Sequence, residues 1–171
     1  MGKWATKINM YNVYHNGSKL IGMNEEVKLP DFEPMTGTIA GPGIAGEINE
    51  PIIGLFGSAE VEIPFSSMHD EIFSIMNPGS AVDLTLRAST QIRDNSGNAT
   101  FEGVRIVLRG LFKGLTSGSL KQGEGTKSSV KFEVTYVMYE VNGVNKLEID
   151  KWNQVYKVNG YDCLSKARSL C

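Results

Sequence analysis

A chain of 171 residues with 41% hydrophobic and 21% charged residues has the size and composition of one globular domain with its own core. Its two cysteines, Cys163 and Cys171, are too few to predict a disulfide framework, and its longest apolar run, 52–56, is far too short to span a bilayer. The first residues lack the apolar stretch of a signal peptide, so we expect the protein to fold in a reducing cytoplasm.

Charge is unevenly distributed along the chain, although the net charge is only −2. Residues 1–30 carry four lysines and two glutamates, and residues 87–171 carry thirteen basic and eight acidic residues. Between them, residues 31–86 carry nine acidic residues and no lysine or arginine. The plain interpretation is a solvated acidic surface, and the alternative is a field of one sign along a channel or a docking face.

The N-terminal third predicts strands followed by a long loop. Strands at 4–15 and 18–23 are joined by Asn16-Gly17, because Asn-Gly is the pair that a type I′ hairpin turn favours. Residues 34–57 contain six glycines and three prolines, which predicts a loop, but they also carry large apolar side chains. We therefore expect this segment to be a docking element that stays mobile until it meets a partner.

The middle of the chain predicts one helix between strands. After a strand at 59–63, the helix lies within 66–77, where Ser67 is a candidate cap and Asp70 follows three residues later. Its apolar residues form a single stripe, Met68, Ile72, Ile75 and Met76. Strands at 81–93 and 99–112 follow.

Residues 130–141 predict a long strand, because apolar and other residues alternate with a period of two. One face carries Val130, Phe132, Val134, Tyr136 and Met138. The opposite face is polar at first and then apolar at Val137, Tyr139 and Val141. A strand that is apolar on both faces is covered on both, so we expect another subunit to cover this end. Asn142-Gly143 then turns the chain into a hairpin, and a helical turn is expected in the last ten residues.

These elements predict a mainly β domain over 1–171, an antiparallel sandwich or barrel with one helix on its flank. The sequence supports no catalytic, metal or cofactor site. Gly41, Gly43 and Gly46 match a dinucleotide fingerprint in letters but lack its strand-turn-helix context, and His15 and His69 lack metal-ligand spacing. We therefore expect no enzymatic activity, no metal and no cofactor.

Several motifs occur in an order and spacing that resemble one protein family. Near the N-terminus they are Asn-Val-x-x-Asn-Gly at 12–17 and Val-x-Leu-Pro at 27–30. Further motifs are Arg109-Gly110, Lys121-Gln122-Gly123-Glu124, Thr135-Tyr136, Glu148-Ile149-Asp150 and Val158-Asn159-Gly160-x-Asp162. Together they resemble the major tail tube proteins of contractile-tailed bacteriophages and of R-type phage-tail-like bacteriocins, and the resemblance covers nearly the whole chain.

The resemblance implies a structural protein whose subunits form hexameric rings that stack into a rigid tube. Each subunit would contribute about four strands to one continuous inner β-barrel. The implied partners are the sheath protein, baseplate and tail terminator proteins, the tape measure protein during assembly, and duplex DNA that passes without specific binding if the particle is a phage. It further implies synthesis in a bacterial host cytoplasm and a place in a virion or phage-tail-like particle, without membrane insertion.

The same resemblance places a loop from the 34–60 region against a neighbouring ring. The predicted contact residues are Gly41, Pro42, Gly43, Ile44, Ile48, Ile52, Ile53, Leu55, Phe56, Val137, Tyr139 and Val141. About 24 strands spaced ~4.8 Å apart and tilted ~40° would leave a lumen of about 40 Å, wide enough for duplex DNA. Acidic residues would keep DNA from binding the wall, and the candidates are Glu47, Glu60, Glu62 and Glu133.

Two other classes of protein remain alternatives. A β-sandwich binding module, for example for carbohydrate, would need an exposed aromatic platform, whereas Trp4 and Trp152 lie far apart in the sequence. A small hydrolase would need the catalytic residues that are missing. Size discriminates between the classes, since a module or enzyme should stay monomeric or dimeric and a tube protein should form rings or polymers.

Overall fold

The computed structural model describes residues 2–23 and 26–171. Within them the chain forms eleven strands and two short helices. The strands are β1 Lys3–His15, β2 Ser18–Lys19, β3 Pro34–Ile39, β4 Ile48–Phe56, β5 Glu60–Phe65, β6 Val82–Asp94, β7 Ala99–Thr116, β8 Ser128–Val141, β9 Val144–Asp150, β10 Val155–Val158 and β11 Tyr161–Asp162. The helices are α1 Asp70–Ile75 and α2 Ser165–Arg168. The predicted mainly β architecture is therefore confirmed.

Nine of the strands form one antiparallel sheet in the order β11-β10-β9-β8-β7-β6-β1-β2, with β5 added beside β8. β8 is long enough to hold two strands on one edge. Its first half pairs with β5, from Phe65 opposite Ser128 to Glu60 opposite Glu133. Its second half pairs with β9, from Asp150 opposite Tyr136 to Val144 opposite Val141.

The core lies on one face of this sheet. Its fully buried side chains come from β1, β5, β6, β7 and β8, and α1 adds Ile72 and Ile75. Because the strands alternate, the opposite face of the same sheet carries mostly polar and charged residues. That face is called the polar face below.

The Asn-Gly turns predicted from the sequence are confirmed. Asn16 and Gly17 have φ values of 48° and 83°, and Asn142 and Gly143 have 50° and 77°, as a type I′ turn requires. A third turn of the same kind, at Asn159-Gly160, joins β10 to β11. This third turn was not predicted, although its Asn-Gly pair is the same as in the other two.

The predicted loop at 34–57 is largely wrong, because β3 and β4 pair there as a two-stranded sheet of their own. Ile39 lies opposite Ile48, and Gly37 lies opposite Glu50. Three of the six glycines lie in the tip, 40–47, and only Gly37 and Gly54 lie within the strands, so β3 and β4 can still pair. The number of glycines in residues 34–57 does not reveal how they are distributed between strands and tip.

The predicted helix is shorter than expected. It begins at Asp70 instead of near residue 66, and the residue at its N-cap is His69, which makes no side-chain capping hydrogen bond. Ser67 therefore does not cap it. Ile72 and Ile75 are buried as predicted and Met76 packs against the core, but Met68 precedes the helix and is exposed.

The alternation predicted for β8 breaks at Thr135. Arg109 lies opposite Tyr136, but the next residue of β7, Gly110, lies opposite Val134, so Thr135 is an extra residue in a β-bulge. Val134 and Val137 consequently both point into the core, and Tyr136 and Met138 do not. Gly110 permits the bulge, since a Cβ at that position would lie 2.2 Å from the Glu133 carbonyl oxygen.

Candidate assembly surfaces

The β3–β4 hairpin, residues 34–56, is anchored at its base. The Phe56 ring packs edge to face against Tyr156, with 5.1 Å between the ring centroids, and against Phe32 at 6.3 Å. Beside them, the Lys151 ammonium donates a hydrogen bond of 2.8 Å to the Gly57 carbonyl. Phe56, one of the predicted contact residues, therefore fixes the hairpin to its own chain.

The rest of the hairpin presents apolar side chains to solvent. The predicted contact residues Ile48, Ile52, Ile53 and Leu55 are 41–68% exposed, and Met35 and Ile39 are exposed as well. At the tip, Pro42 is exposed and Ile44 is half-buried by the turn, in which its N–H donates to the Gly41 carbonyl at 3.1 Å. Exposed apolar clusters of this kind mark protein interaction sites.

The second predicted contact group, at the end of β8, does not form a free surface. Val137 is fully buried in the chain's own core, so its assignment to an intersubunit contact is wrong. Tyr139 packs against the same core, and burial, followed by the nearby Asp31 carboxylate, raises the pKa of its phenol. Val141 is half-buried. The bulge at Thr135 explains the apolar pattern without a neighbouring subunit, because it turns these residues inward.

Glu133 is the centre of a bonded cluster on the polar face. Its carboxylate accepts hydrogen bonds from the Ser58 hydroxyl at 2.7 Å and the Ala59 N–H at 3.2 Å. The ammonium groups of Lys113 and Lys151 lie 3.4 and 3.8 Å away. Burial pushes the pKa of Glu133 upward, but these hydrogen bonds and the Lys113 charge outweigh burial and hold the pKa below its usual value. Glu133 thus ties the β4–β5 connection to the sheet.

Glu60 and Glu62 lie on the same face as Glu133. Glu60 is directly opposite Glu133 across β5 and β8, and Lys113 bridges the two carboxylates. Glu62 lies opposite Lys131 and accepts a hydrogen bond of 2.5 Å from the Ser129 hydroxyl. Three of the four lumen candidates therefore share one surface, whereas Glu47 lies apart at the hairpin tip.

The polar face continues across β6, β7 and β8 as a set of cross-strand ion pairs. Arg105 bonds Glu140 at 2.6 Å, and Arg109 bonds Asp83 at 2.9 Å while its guanidinium lies 5.0 Å from the centre of the Tyr136 ring. These residues were not predicted as a cluster, because the strand register that brings them together cannot be inferred from the amino-acid sequence. The acidic segment 31–86 consequently does not produce an acidic face, since basic residues from later strands neutralise part of it.

A further surface is an apolar groove of about 420 Å³ beside β1. It is lined by residues 8–11 of β1 and by Glu26, Val27 and Leu29. Leu86, Ala88 and Ile106 complete the lining, and Leu86 and Ile106 also belong to the buried core. It is called the β1 groove below.

Neither a membrane span nor a metal site is found in residues 2–23 and 26–171. No helix there is long and apolar enough to cross a membrane, and no group of three or more His, Cys, Asp or Glu side chains is placed to hold a metal ion. The features that stand out from the fold are therefore the protruding apolar hairpin, the ion-paired polar face and the β1 groove.

The family model of phage tail tube protein FII matches residues 5–170. The chain belongs to this family. It is also 31% identical over 166 residues to the tail tube protein of Escherichia phage P2, covering 95% of this chain and 94% of that protein. The present chain is therefore a tail tube protein, a structural subunit of a phage or phage-tail-like particle.

A solved structure shares the fold of this tail tube protein. The similarity is to a chain in the cryo-EM structure of an extracellular contractile injection system, the PVC sheath-tube complex in its extended state. The TM-score is 0.53 at 14% sequence identity, over 76% of this chain and 87% of that chain.

Proposed function

We propose that this tail tube protein assembles as hexameric rings that stack into a hollow conduit, the tube of a contractile tail or phage-tail-like particle. The observation that carries this proposal is the β3–β4 hairpin, which projects apolar side chains from a chain whose core is already complete. A two-stranded hairpin is marginally stable by itself in water, so a packing partner would stabilise it. Repeated copies of the chain would supply that partner.

The contact residues proposed for ring and subunit interfaces are those that the hairpin exposes or holds at its tip. They are Gly41, Pro42, Gly43, Ile44, Ile48, Ile52, Ile53 and Leu55. Phe56 supports them from the base. Tyr139 and Val141 retain partial exposure beside the Asn142-Gly143 turn, and we include them as contacts of small area.

We further propose that the polar face lines the lumen of the tube, with Glu60, Glu62 and Glu133 among the residues exposed to it. Glu47 would lie where the tips of the hairpins approach the wall of the lumen. Lysine and arginine side chains that are already paired with carboxylates have little charge left to bind phosphate. Ion pairing would therefore let duplex DNA pass without sticking if the particle is a phage.

The proposed partners are other copies of the chain, a contractile sheath protein around the tube, baseplate and terminator proteins at its ends, and a tape measure protein during assembly. The subunit would be made in the host cytoplasm before it enters the particle. A bacteriocin would use the same tube without DNA.

Negative-stain electron microscopy of the purified protein over a concentration series tests the proposed function. We expect hexameric rings or hollow rods whose number rises with concentration. If the protein stays monomeric, preformed tube or baseplate seeds are added, because nucleation alone could limit assembly. A monomer at every concentration, with and without seeds, would contradict the proposal and favour a β-sandwich binding module.

A further inference from the structure

One part of the polar face, along the second half of β6, carries an excess of positive charge. Alternate residues of β6 from Arg87 to Arg93 point to this face, because β6 and β7 pair there without a bulge. The β8 strand adds one carboxylate, that of Glu140 opposite Arg105. The neighbours on β1 and β7 include no acidic residue; they are Asn12, Met10, Lys7 and Trp4, and Arg105, Gly103, Phe101 and Ala99.

Three cations of this region have no carboxylate partner. Lys7, Arg87 and Arg93 are exposed, and none of them forms an ion pair within residues 2–23 and 26–171. Arg87 lies 5.7 Å from the centre of the Tyr14 ring, and Arg93 donates a hydrogen bond of 2.7 Å to the Gly97 carbonyl, so both have neutral partners. Their charge is therefore available to an anion. The three residues are called the basic row below.

The basic row has the length and spacing of a contact with a nucleic-acid backbone. Alternate residues of a strand are ~6.7 Å apart, so Arg87 and Arg93 are separated by about 20 Å, and Lys7 lies between them, opposite Gln91. Each strand of duplex DNA carries one phosphate for every ~3.4 Å of helix axis, so the row spans about six base pairs. A hollow of about 310 Å³ that Arg87 and Arg105 line has room for a phosphate group.

We propose that the basic row contacts the phosphate backbone of duplex DNA, with one phosphate in the hollow that Arg87 and Arg105 line. The inference rests on the proposed function, because it names a contact between the polar face and the cargo of the lumen. An anionic membrane carries similar charge but does not enter a lumen, which favours DNA. The contact depends on charge and not on base sequence, and so few cations bind weakly at physiological salt, so DNA remains free to move along the wall.

Fluorescence anisotropy of a labelled duplex of about 20 base pairs, titrated with the protein at several salt concentrations, tests the row. The affinity of the wild type should fall roughly 40-fold between about 50 and 200 mM salt, as expected for about three phosphate contacts. Lys7→Gln, Arg87→Gln and Arg93→Gln should each reduce the slope of log affinity against log salt by about one, and the triple variant should lose binding.

Lys157→Gln is the matched control. It removes the same charge from the same face, but Lys157 is already paired, with 3.8 Å between its ammonium and the Glu148 carboxylate, so the slope should not change. Urea unfolding confirms that each variant is folded. A folded triple variant that binds the duplex as the wild type does would overturn the proposal.

Trp4 supplies a second readout. It lies opposite Arg93 on the polar face and is 50% exposed, so a bound duplex should quench its fluorescence. Trp152→Phe leaves Trp4 as the sole tryptophan, whereas Trp4→Phe leaves Trp152, which is 73% exposed and lies between β9 and β10. Quenching of Trp4 and not of Trp152 is expected. Quenching of Trp152 alone, or of both equally, would overturn the proposed place of the contact.

Vesicles that contain phosphatidylserine distinguish the other source of anionic groups. Binding of the wild type to these vesicles, without binding to the duplex, would overturn the proposal for DNA. A single subunit carries the whole basic row, so DNA binding does not require ring formation. Rings that form from a protein without this DNA binding would contradict the present inference alone. DNA binding through the row by a protein that never forms rings, with or without seeds, would contradict the proposed function alone.

Discussion

Leu164 packs directly on the backbone of Gly54, and a Cβ at position 54 would lie 2.5 Å from the Leu164 Cδ1 atom. Gly54 has a φ of 81°, within the bulge of β4, so both its conformation and its contact require glycine. Leu164 in turn precedes α2, which the Asp162–Arg168 ion pair holds in place. The C-terminal segment therefore sets the direction in which the hairpin leaves the body of the subunit.

Gly54→Ala should destabilise the fold and redirect the hairpin. A positive φ in a non-glycine residue costs about 1–3 kcal/mol, and the contact with Leu164 adds to it. Urea unfolding measures the first effect and electron microscopy of assemblies the second. Gly103→Ala is the matched control, because a Cβ there meets nothing within 4 Å and the position has no positive φ, and it should change neither quantity. Equal stability of Gly54→Ala and wild type would show that the hairpin base is not constrained as described.

Val137→Ala and Ile53→Ala should have opposite effects. Val137 is fully buried in the core, so its truncation should lower the free energy of unfolding by about 2 kcal/mol, while folded molecules assemble normally. Ile53 is 68% exposed on the hairpin, so its truncation should leave stability unchanged and weaken assembly. Unfolding in urea and sedimentation of assemblies separate the two. A Val137→Ala protein that is as stable as wild type but fails to assemble would show that Val137 contributes to an intersubunit contact.

Glu133→Gln should destabilise the protein at neutral pH by about 1 kcal/mol, since it removes the charge that Lys113 and Lys151 pair with at a partly solvated site. The pKa of Glu133 is lowered in the folded state, so its contribution is present above the unfolded value of 4.5 and is lost as pH falls through the folded pKa. The stability difference between wild type and variant should therefore vanish in acid. Glu47→Gln, which breaks no ion pair, is the control and should leave the stability at neutral pH unchanged.

His69 should stabilise the fold mainly when it is protonated. Its Nδ1 lies 2.9 Å from the Ser67 carbonyl and its Nε2 lies 3.2 Å from the Ile21 carbonyl, so both nitrogens need a proton to donate. The Ser67 carbonyl is the largest cause that raises the pKa of His69, and Ile21 and Glu71 add to it against desolvation. Because the folded pKa is raised, the stabilisation is complete below the unfolded value of 6.5 and is lost as pH rises through the folded pKa.

Comparison of His69→Gln with wild type in urea at several pH values checks this. The loss of stability should be larger on the acid side of neutrality than on the alkaline side. His15→Gln is the control of opposite sign: burial lowers the pKa of His15, against the raising effect of Asp83, so its contribution should fade as pH drops. The same pH trend for both variants would exclude this account of His69.

Local turn chemistry was the most predictable part of the fold. Asn16-Gly17 and Asn142-Gly143 predict their hairpins, because Asn and Gly themselves favour the positive φ values that the turn requires. The burial of Val137 was not predictable, because the bulge that turns this side chain inward depends on Gly110 in the neighbouring strand. The same limit applies to the candidate sites. Exposure of Ile53 on the hairpin followed from composition, but the pairing of Glu60 and Glu133 through Lys113 needs the register of three strands.

The bulge at Thr135 also bears on how the length of this chain can change. Because Thr135 is the extra residue, its deletion would leave Val134, Tyr136 and Val137 in regular alternation and keep the later residues of β8 on their present faces. Deletion of Met138, in contrast, would exchange inside and outside for the residues that follow it. Descendants of this sequence should therefore lose a residue at 135 more readily than at 138.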